Sequence, residues 1–253
     1  MNNYFDLGGV RLFCFENVAS TNDEVVKLLG NGVEPMFCVI ANKQTNGRGR
    51  CGSLWISQNP GNIYFSAALP VEIFVSRPMG VFAQVFVLKF IVKFGGMLHL
   101  SIKWPNDIFL AGKKVGGVLL ETCFADKVLK RAVFGVGINV LTAPDLSNVS
   151  GIAYEATALK TRLQSVTYQF VLDAVIGAIE EAVNLYKYGK YTRFIANNWN
   201  FFDMLYGKWV NVSCGEKIFS GNESGVDANG NLVLRLDNGV LLRFDSASAK
   251  VVL

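Results

Sequence analysis

The chain has 253 residues, of which 51% are hydrophobic and 17% are charged. This composition excludes an intrinsically disordered or low-complexity protein, because such chains have too little apolar surface to offset the entropy of folding. The net charge of +4 suits anionic small molecules and is too small for a polybasic surface. At roughly 150 residues per domain, the length predicts one or two domains.

The cysteine pattern and the N-terminus indicate the compartment. Five cysteines are scattered without a Cys-x-x-Cys pair, which argues against a zinc site and against a disulfide framework. The first residues show no basic segment followed by an apolar one, so we expect no export signal and a cytoplasmic protein. Gln84, Lys89 and Lys93 interrupt the apolar stretch from 78 to 100, which predicts a buried helix and no membrane association.

The first half of the chain alternates helical and strand-like segments. Thr21 and Glu24 have the spacing of a capping box, which predicts a helix from Thr21 to Gly30. Continuous apolar runs at 37–41 and 62–69 predict strands. The polar loop 42–54 between them contains three glycines and two arginines, and its length is typical of functional loops.

The remaining pattern predicts an α+β protein with a small β domain at its end. A helix is expected at 78–94 and helices at 167–186 and 190–202, with short strands at 101–104, 108–110, 115–122 and 128–140 that pair antiparallel. After residue 206 the sequence changes to short alternating runs separated by glycines. This change predicts a first domain over 1–206 and a small barrel over 207–253.

The segment 47–52 matches the Gly-x-Gly-x-x-Gly pattern of dinucleotide-binding loops. Its context argues against that fold, because polar residues separate it from the preceding strand and no helix follows it. What remains is a glycine loop that presents Arg48 and Arg50, and guanidinium groups suit phosphate or carboxylate ligands. The alternative is a solvated basic loop without a ligand.

A second candidate region comprises Lys103-Trp104-Pro105-Asn106-Asp107 and Lys114-Val115-Gly116-Gly117. Strand alternation allows Asp107 and Lys114 to face a common site, and the two glycines allow a ligand or a strand to approach the backbone closely. The alternative is a set of ordinary turn residues.

These segments, in this order, resemble the biotin protein ligases (biotin–[acetyl-CoA-carboxylase] ligases). The matching residues are Ser20-Thr21-Asn22, Gln44 to Arg50 with Trp55, Lys103 to Asp107, Lys114 to Gly117, and Gly135-Val136-Gly137-Ile138-Asn139. The resemblance implies an α+β fold: a catalytic domain related to class II aminoacyl-tRNA synthetases, with a mixed β-sheet and flanking helices, followed by an SH3-like barrel.

The resemblance also implies a reaction and its participants. Biotin would be activated with ATP as biotinyl-5′-AMP and then transferred to a lysine of a biotin carboxyl carrier domain, from acetyl-CoA carboxylase or a related carboxylase. Mg²⁺ would accompany ATP, and no side chain is assigned as a metal ligand. The chain begins about where the catalytic domain of the family begins, so we expect no winged-helix domain, no DNA binding, and a monomer or homodimer.

The resemblance assigns site residues by position. The catalytic residues would be Lys114, Arg50 and Asp107, with Lys114 as the main cation and Asp107 as the group that orients or deprotonates the carrier lysine. The biotin-binding residues would be Ser20, Thr21, Asn22, Gln44, Arg48, Gly49, Arg50, Lys114, Gly116 and Gly117. The residues that bind ATP and the adenylate would be Arg48, Arg50, Trp55, Lys103, Asn106, Lys114 and Asn139.

Several alternatives stay open at this point. Helix capping by Thr21, a turn role for Asp107 and core packing by Trp55 each explain those residues without a ligand. Cys51 and Ser53 replace basic residues usual in the family's loop, which leaves a degenerate ligase that binds biotin without turnover as one reading. Lipoate–protein ligases share the fold and the adenylation step, and an RNA-binding module could use the arginine loop and the barrel.

Overall fold

The computed structural model describes residues 4–7, 10–94, 96–147, 149 and 154–252 and has a mixed α+β fold. The helices are α1 Thr21–Gly30, α2 Gly80–Lys93, α3 Tyr168–Lys187 and α4 Tyr191–Phe202. The strands are β1 Tyr4–Leu7, β2 Val10–Val18, β3 Phe37–Gln44, β4 Ile63–Leu69, β5 Leu100–Lys103, β6 Asp107–Leu110, β7 Lys113–Ala125, β8 Val128–Ile138, β9 Trp209–Cys214, β10 Lys217–Val226, β11 Leu232–Arg235, β12 Leu241–Phe244 and β13 Ala249–Val252. In the described part of the chain, no helix combines the length and the apolar character that a bilayer crossing requires.

The chain folds into two compact units. The first comprises Met1–Val75 and Lys113–Val175, and the second comprises Ser76–Gly112 and Ile176–Leu253. The second unit therefore contains the C-terminal strands together with α2, the β5–β6 hairpin and α4. The sequence-based boundary between residues 206 and 207 stays a prediction.

The first unit is built on a mixed sheet with the strand order β1-β2-β3-β4-β8-β7. The strands β2 and β3 run parallel and are joined through α1, whereas β3, β4, β8 and β7 pair antiparallel, as predicted for β7 and β8. The helix α1 packs its apolar side on this sheet, and Val25 and Leu28 contribute to a core cluster with Phe13, Phe37, Val39, Ala68 and Val133. Because β2 and β3 are parallel, the start of α1 and the end of β3 lie at the same end of this strand pair.

The helix α1 has the predicted bounds, but the capping-box interpretation of Thr21 is wrong. Ser20 is the N-cap residue and makes no side-chain capping hydrogen bond. Because Thr21 is already inside the helix, its hydroxyl cannot cap in the usual way, and it donates instead to Gln44 Oε1 at 3.1 Å. The side chain of Thr21 is thus committed to a tertiary contact.

In the second unit, α2 is buried on most sides, as predicted. Residues on every face of the helix are buried, which matches its mostly apolar sequence. Lys89 and Lys93 both form ion pairs with Glu181 of α3, which is partly exposed. The strands β5 and β6 form an antiparallel hairpin in which Lys103 lies opposite Asp107.

The C-terminal strands form a five-stranded antiparallel sheet with the order β12-β11-β10-β9-β13. The expected barrel is not closed, since no ladder joins β12 to β13 among the strands that the structure describes. Gln84 Nε2 and Trp104 Nε1 both donate to the carbonyl oxygen of Gly230, at 2.7 and 3.0 Å. The turn before β11 is therefore fastened to α2 and to the β5–β6 hairpin.

Two buried carboxyl groups lie together where α4 meets β10. Trp199 Nε1 donates to Asp203 Oδ2 at 2.6 Å, and the Gly225 amide donates to Glu223 Oε1 at 2.6 Å. Burial, and next the charge of Asp203, raise the pKa of Glu223 to about 8, and burial also raises the pKa of Asp203. Protonation of Glu223 avoids placing two negative charges side by side in the interior.

Candidate active site

The candidate site lies in the first unit, at the start of α1. The Thr21 amide donates to Gln44 Oε1 at 2.8 Å, and Gln44 Nε2 donates to Ser57 Oγ at 2.8 Å. Ser57 Oγ in turn donates to the carbonyl oxygen of Trp55 at 2.9 Å. These bonds orient the Gln44 amide and connect it to the segment that follows the glycine loop.

Ser66 of β4 extends this network to the side chains of Thr21 and Asn22. It was not predicted from the sequence. Its hydroxyl oxygen is fully buried and lies 2.7 Å from Thr21 Oγ1 and 2.5 Å from Asn22 Oδ1. Across the sheet, Ser66 lies opposite Gly135 of β8. A β carbon at Gly135 would lie 2.6 Å from Asn22 Oδ1, so the glycine leaves the space that Asn22 occupies.

The first arginine of the glycine loop is held by acidic residues. Arg48 makes a two-point contact with Asp23 of α1, at 2.7 and 2.8 Å, and a further contact with Glu121 of β7 at 3.2 Å. The hydrogen bond to Asp23, followed by that to Glu121, raises the pKa of Arg48 above its usual value despite partial burial. Asn22 Nδ2 also donates to Glu121, at 2.5 Å. Neither Asp23 nor Glu121 was predicted from the sequence as a site residue.

Trp55 and Lys114 lie beside this network. The indole of Trp55 covers the backbone of Gly137, which lies opposite Gly117 of β7. Lys114 Nζ lies 5.6 Å from the centroid of the Trp55 ring. The main chain of Lys114 is fixed by hydrogen bonds to Glu155 and Thr157, at 2.8 and 2.9 Å, so its side chain projects from a rigid strand.

Two buried polar atoms at the site have no hydrogen-bond partner among the described residues. One is Trp55 Nε1, a donor, and the other is Asn139 Oδ1, an acceptor. Asn139 is otherwise well held, since its amide group donates to the Thr157 carbonyl at 3.0 Å. Buried polar groups are rarely left unpaired, so both atoms are suited to contacts with a ligand.

The second arginine, Arg50, begins a short turn over Arg50–Gly52. Ser53 Oγ donates to the Arg50 carbonyl at 2.8 Å, and Cys51 has a φ of 52°. A β carbon at Gly49 would lie 2.5 Å from Ser53 Oγ. Ser53, which departs from the family pattern, therefore closes this turn.

Gly116 lies on β7 of the first unit, whereas Lys103, Asn106 and Asp107 lie in the second unit. Lys103 is buried, and its Nζ donates to the Val251 carbonyl at 3.1 Å. Asn106 is buried in the turn of the β5–β6 hairpin, and Asp107 starts β6. The nucleotide-binding roles of Lys103 and Asn106, and the catalytic role of Asp107 together with Lys114, stay predictions.

In chemical terms the site combines two parts. The amide and hydroxyl groups of Thr21, Asn22, Gln44 and Ser66 offer both donors and acceptors for a neutral polar ring. Lys114 and Arg50 are the cations that the sequence predicts for anionic groups, and that role stays a prediction. Among the described residues, no group of three or more His, Cys, Asp or Glu side chains could hold a metal ion.

Comparison with known proteins agrees with this description. Residues 14–139 match the model of the "Biotin/lipoate A/B protein ligase family", and residues 206–250 match the model "Biotin protein ligase C terminal domain". These two matches indicate the class of biotin/lipoate-type protein ligases.

Individual relatives narrow the class. The "Biotin--[acetyl-CoA-carboxylase] ligase" of Paracoccus denitrificans is 30% identical over 228 residues, which cover 85% of this chain and 90% of that protein. The "Bifunctional ligase/repressor BirA" of Bacillus subtilis is 27% identical over 239 residues, 92% of this chain and 71% of that protein. The structure of the biotin protein ligase from Aquifex aeolicus in complex with biotin and ATP is 26% identical with a TM-score of 0.78, covering 95% of this chain and 97% of that one. The chain belongs to the biotin protein ligase family.

Proposed function

We propose that this protein is an ATP-dependent biotin–protein ligase. The observation that carries the proposal is the buried polar network of Thr21, Asn22, Gln44 and Ser66, connected through Ser57 to Trp55 and next to Lys114. The names of the relatives from Paracoccus denitrificans and Aquifex aeolicus support the same conclusion. A cytoplasmic location is part of the proposal, because the reaction consumes ATP.

The polar network is suited to the ureido ring of biotin. That ring presents one carbonyl oxygen and two N–H groups, so a site needs donors and acceptors side by side. Thr21, Asn22 and Gln44 supply both kinds of group from a rigid helix start and strand end. A plain fatty acid has no polar ring to hydrogen-bond with these groups, so it gains none of the contacts that the ureido ring would make.

The cationic residues are suited to the adenylation step. A carboxylate oxygen of biotin attacks the α-phosphorus of ATP, an anhydride bond to AMP forms, and the bond to pyrophosphate breaks. Lys114 and Arg50 would offset the negative charge that this step concentrates. The described residues form no metal cluster, so Mg²⁺ would be carried mainly by the phosphates of ATP, as is common for this ion.

The second step would transfer biotin to a carrier lysine. The lysine amine, with an ordinary pKa of about 10.4, must lose a proton before it attacks the biotinyl carbonyl. An amide bond forms, and AMP leaves with the electrons of the broken anhydride bond. Asp107 is the predicted group that orients this amine or accepts its proton. The acceptor is a biotin carboxyl carrier domain in this proposal.

Biotin-dependent exchange of pyrophosphate into ATP tests the proposal. Wild-type protein, Lys114→Ala and the neighbouring control Lys113→Ala are compared with biotin, lipoate and octanoate. We expect exchange with biotin only, loss of exchange in Lys114→Ala and retention in Lys113→Ala, whose side chain is exposed in an ion pair with Glu155. Exchange with lipoate or octanoate instead would contradict the choice of substrate, and no exchange with any acid would contradict the activity.

The acceptor is tested separately with labelled biotin. A purified biotin carboxyl carrier domain should gain one label per molecule, and the same domain with its acceptor lysine replaced by arginine should gain none. Equal labelling of both domains would contradict a site-specific transfer.

A further inference from the structure

Arg48 lies between two carboxylates. Its two terminal nitrogens both contact Asp23, and Nη2 also contacts Glu121. The planar fork of a guanidinium matches a carboxylate in this two-point geometry, which is the strongest form of the pair. The hydrogen-bonding groups of Arg48 that these contacts use are not available to a ligand.

The local charge argues in the same direction. One guanidinium between two carboxylates leaves an excess of negative charge around Arg48. A carboxylate or a phosphate placed there would be a third anion beside one cation, and like charges at short range oppose binding. Arg48 is therefore a poor ligand for biotin's carboxylate or for ATP, although the resemblance assigns it to both.

Glu121 connects Arg48 to the polar network. The same oxygen, Oε2, accepts from Arg48 Nη2 at 3.2 Å and from Asn22 Nδ2 at 2.5 Å. The other end of the Asn22 amide, Oδ1, faces the Ser66 hydroxyl at 2.5 Å. Because a carboxylate only accepts hydrogen bonds, Glu121 specifies which end of the Asn22 amide carries the nitrogen.

We propose that Arg48 and Glu121 are positioning residues: together they fix the start of the glycine loop on α1 and hold the Asn22 amide in the orientation that recognises the ureido end of the acid substrate. This inference rests on the proposed function. It gives the two arginines of the loop different tasks, and it places a carboxylate, Glu121, in a site whose ligands are anions, where it acts through its neighbours.

The experiment compares Arg48→Lys, Asp23→Asn and Glu121→Gln in pyrophosphate exchange. We expect each variant to raise the apparent KM for biotin about tenfold or more, the scale of one lost charge-assisted hydrogen bond. The KM for MgATP should stay within about twofold of the wild-type value. That is less than half of the free-energy change that a tenfold difference represents. The double variant Arg48→Lys/Glu121→Gln should be no worse than the poorer single variant, because the two residues act as one unit.

Glu24→Gln is the matched control. Glu24 lies on the same helix and pairs with exposed Lys27, outside the network, so its KM values should equal those of the wild type. The proposal is overturned if Arg48→Lys raises the KM for MgATP while Asp23→Asn and Glu121→Gln leave all constants unchanged. That pattern is the one expected of an arginine that binds phosphate directly.

Thermal unfolding of the same variants distinguishes positioning of the substrate site from a general effect on stability. Loss of biotin affinity in variants that keep the wild-type melting temperature supports positioning, whereas KM changes that appear only with a lowered melting temperature overturn it. If the wild type shows no exchange with biotin, the proposed function fails by itself. Limited proteolysis within 42–54 then decides: faster cleavage in both Arg48→Lys and Glu121→Gln supports the loop attachment, and unchanged cleavage overturns it.

Discussion

The indole ring of Trp55 lies on the backbone of Gly137, in the space that a side chain would fill. A β carbon at Gly137 would lie 2.7 Å from Trp55 Cζ2 and closer still to Cε2 and Nε1. The same ring lies beside Lys114 Nζ. The glycine of β8 thus determines where the tryptophan that borders the candidate site is placed.

Gly137→Ala should therefore displace Trp55. We expect overpacking to lower stability by roughly 1–3 kcal/mol and biotin-dependent exchange to fall at least tenfold under conditions where the variant is folded. Gly30→Ala is the control, since a β carbon at the end of α1 meets no atom within 4 Å. Wild-type exchange by Gly137→Ala would show that the position of Trp55 is unimportant for the reaction.

Ser66→Ala should weaken biotin binding with little effect on ATP. The substitution removes a buried hydroxyl that lies between Thr21 and Asn22, and hydrogen bonds of this kind contribute about 1 kcal/mol each. Isothermal titration calorimetry with biotin measures the change in Kd. Ser220→Ala, which removes an exposed hydroxyl bonded to Asn211, serves as the control. An unchanged Kd in Ser66→Ala would remove Ser66 from the binding network.

The stability of the protein should depend on pH through Glu223. The ordinary pKa of a glutamate here is 4.5, and burial and then Asp203 raise it to about 8 in the folded state. Between these values the folded state holds more protons than the unfolded state, so the free energy of unfolding falls as pH rises from about 4.5 to about 8. Lys208 acts in the opposite direction by stabilising the charge of Asp203.

Urea unfolding from pH 5 to pH 9 measures this dependence. Glu223→Gln should show a smaller loss of stability over the range than the wild type, because it has no proton to lose at that position. Glu216→Gln, a change at an exposed glutamate in the turn between β9 and β10, should follow the wild-type curve. Parallel curves for wild type and Glu223→Gln would show that Glu223 ionises normally in the folded protein.

Gly230→Ala should destabilise the second unit more than Gly215→Ala does. A β carbon at Gly230 would lie 2.5 Å from Gln84 Oε1 and 2.6 Å from Val81 Cγ2, and the residue has a φ of +73°. Gly215→Ala has a comparable φ of +60° but open space around it, so it reports the backbone strain alone. We expect the additional loss to exceed about 1 kcal/mol, the usual scale of overpacking. Equal melting temperatures would contradict the close packing of α2 on the turn.

The sequence predicted most elements whose burial pattern is strong. The helix α2 was evident from its largely apolar sequence, and β4 and β8 from their apolar runs, because burial alone specifies such segments. The strand β10 was not predicted, since Lys217–Val226 contains mostly polar residues and glycines. Its position depends on pairing with β9 and β11, which a local pattern does not reveal.

The site was predictable only in part for the same reason. Thr21, Asn22, Gln44 and Lys114 stand in short motifs that the sequence displays directly. Their partners Ser66 and Glu121 are single polar residues inside strands, 45 and 99 positions away from Thr21 and Asn22 along the chain. Strand alternation offered one usable signal, because Glu121 follows Gly117 at an even spacing on β7 and so shares its face.

The open C-terminal sheet has two edges, and each carries a positive charge. Arg243 is exposed on β12 and Lys250 on β13, and the buried Lys103 binds the Val251 carbonyl of the second edge strand. Unprotected edge strands invite pairing with another molecule, and lysine or arginine at the edge discourages it. Arg243 and Lys250 are therefore expected to disfavour edge-to-edge pairing between two copies of this sheet.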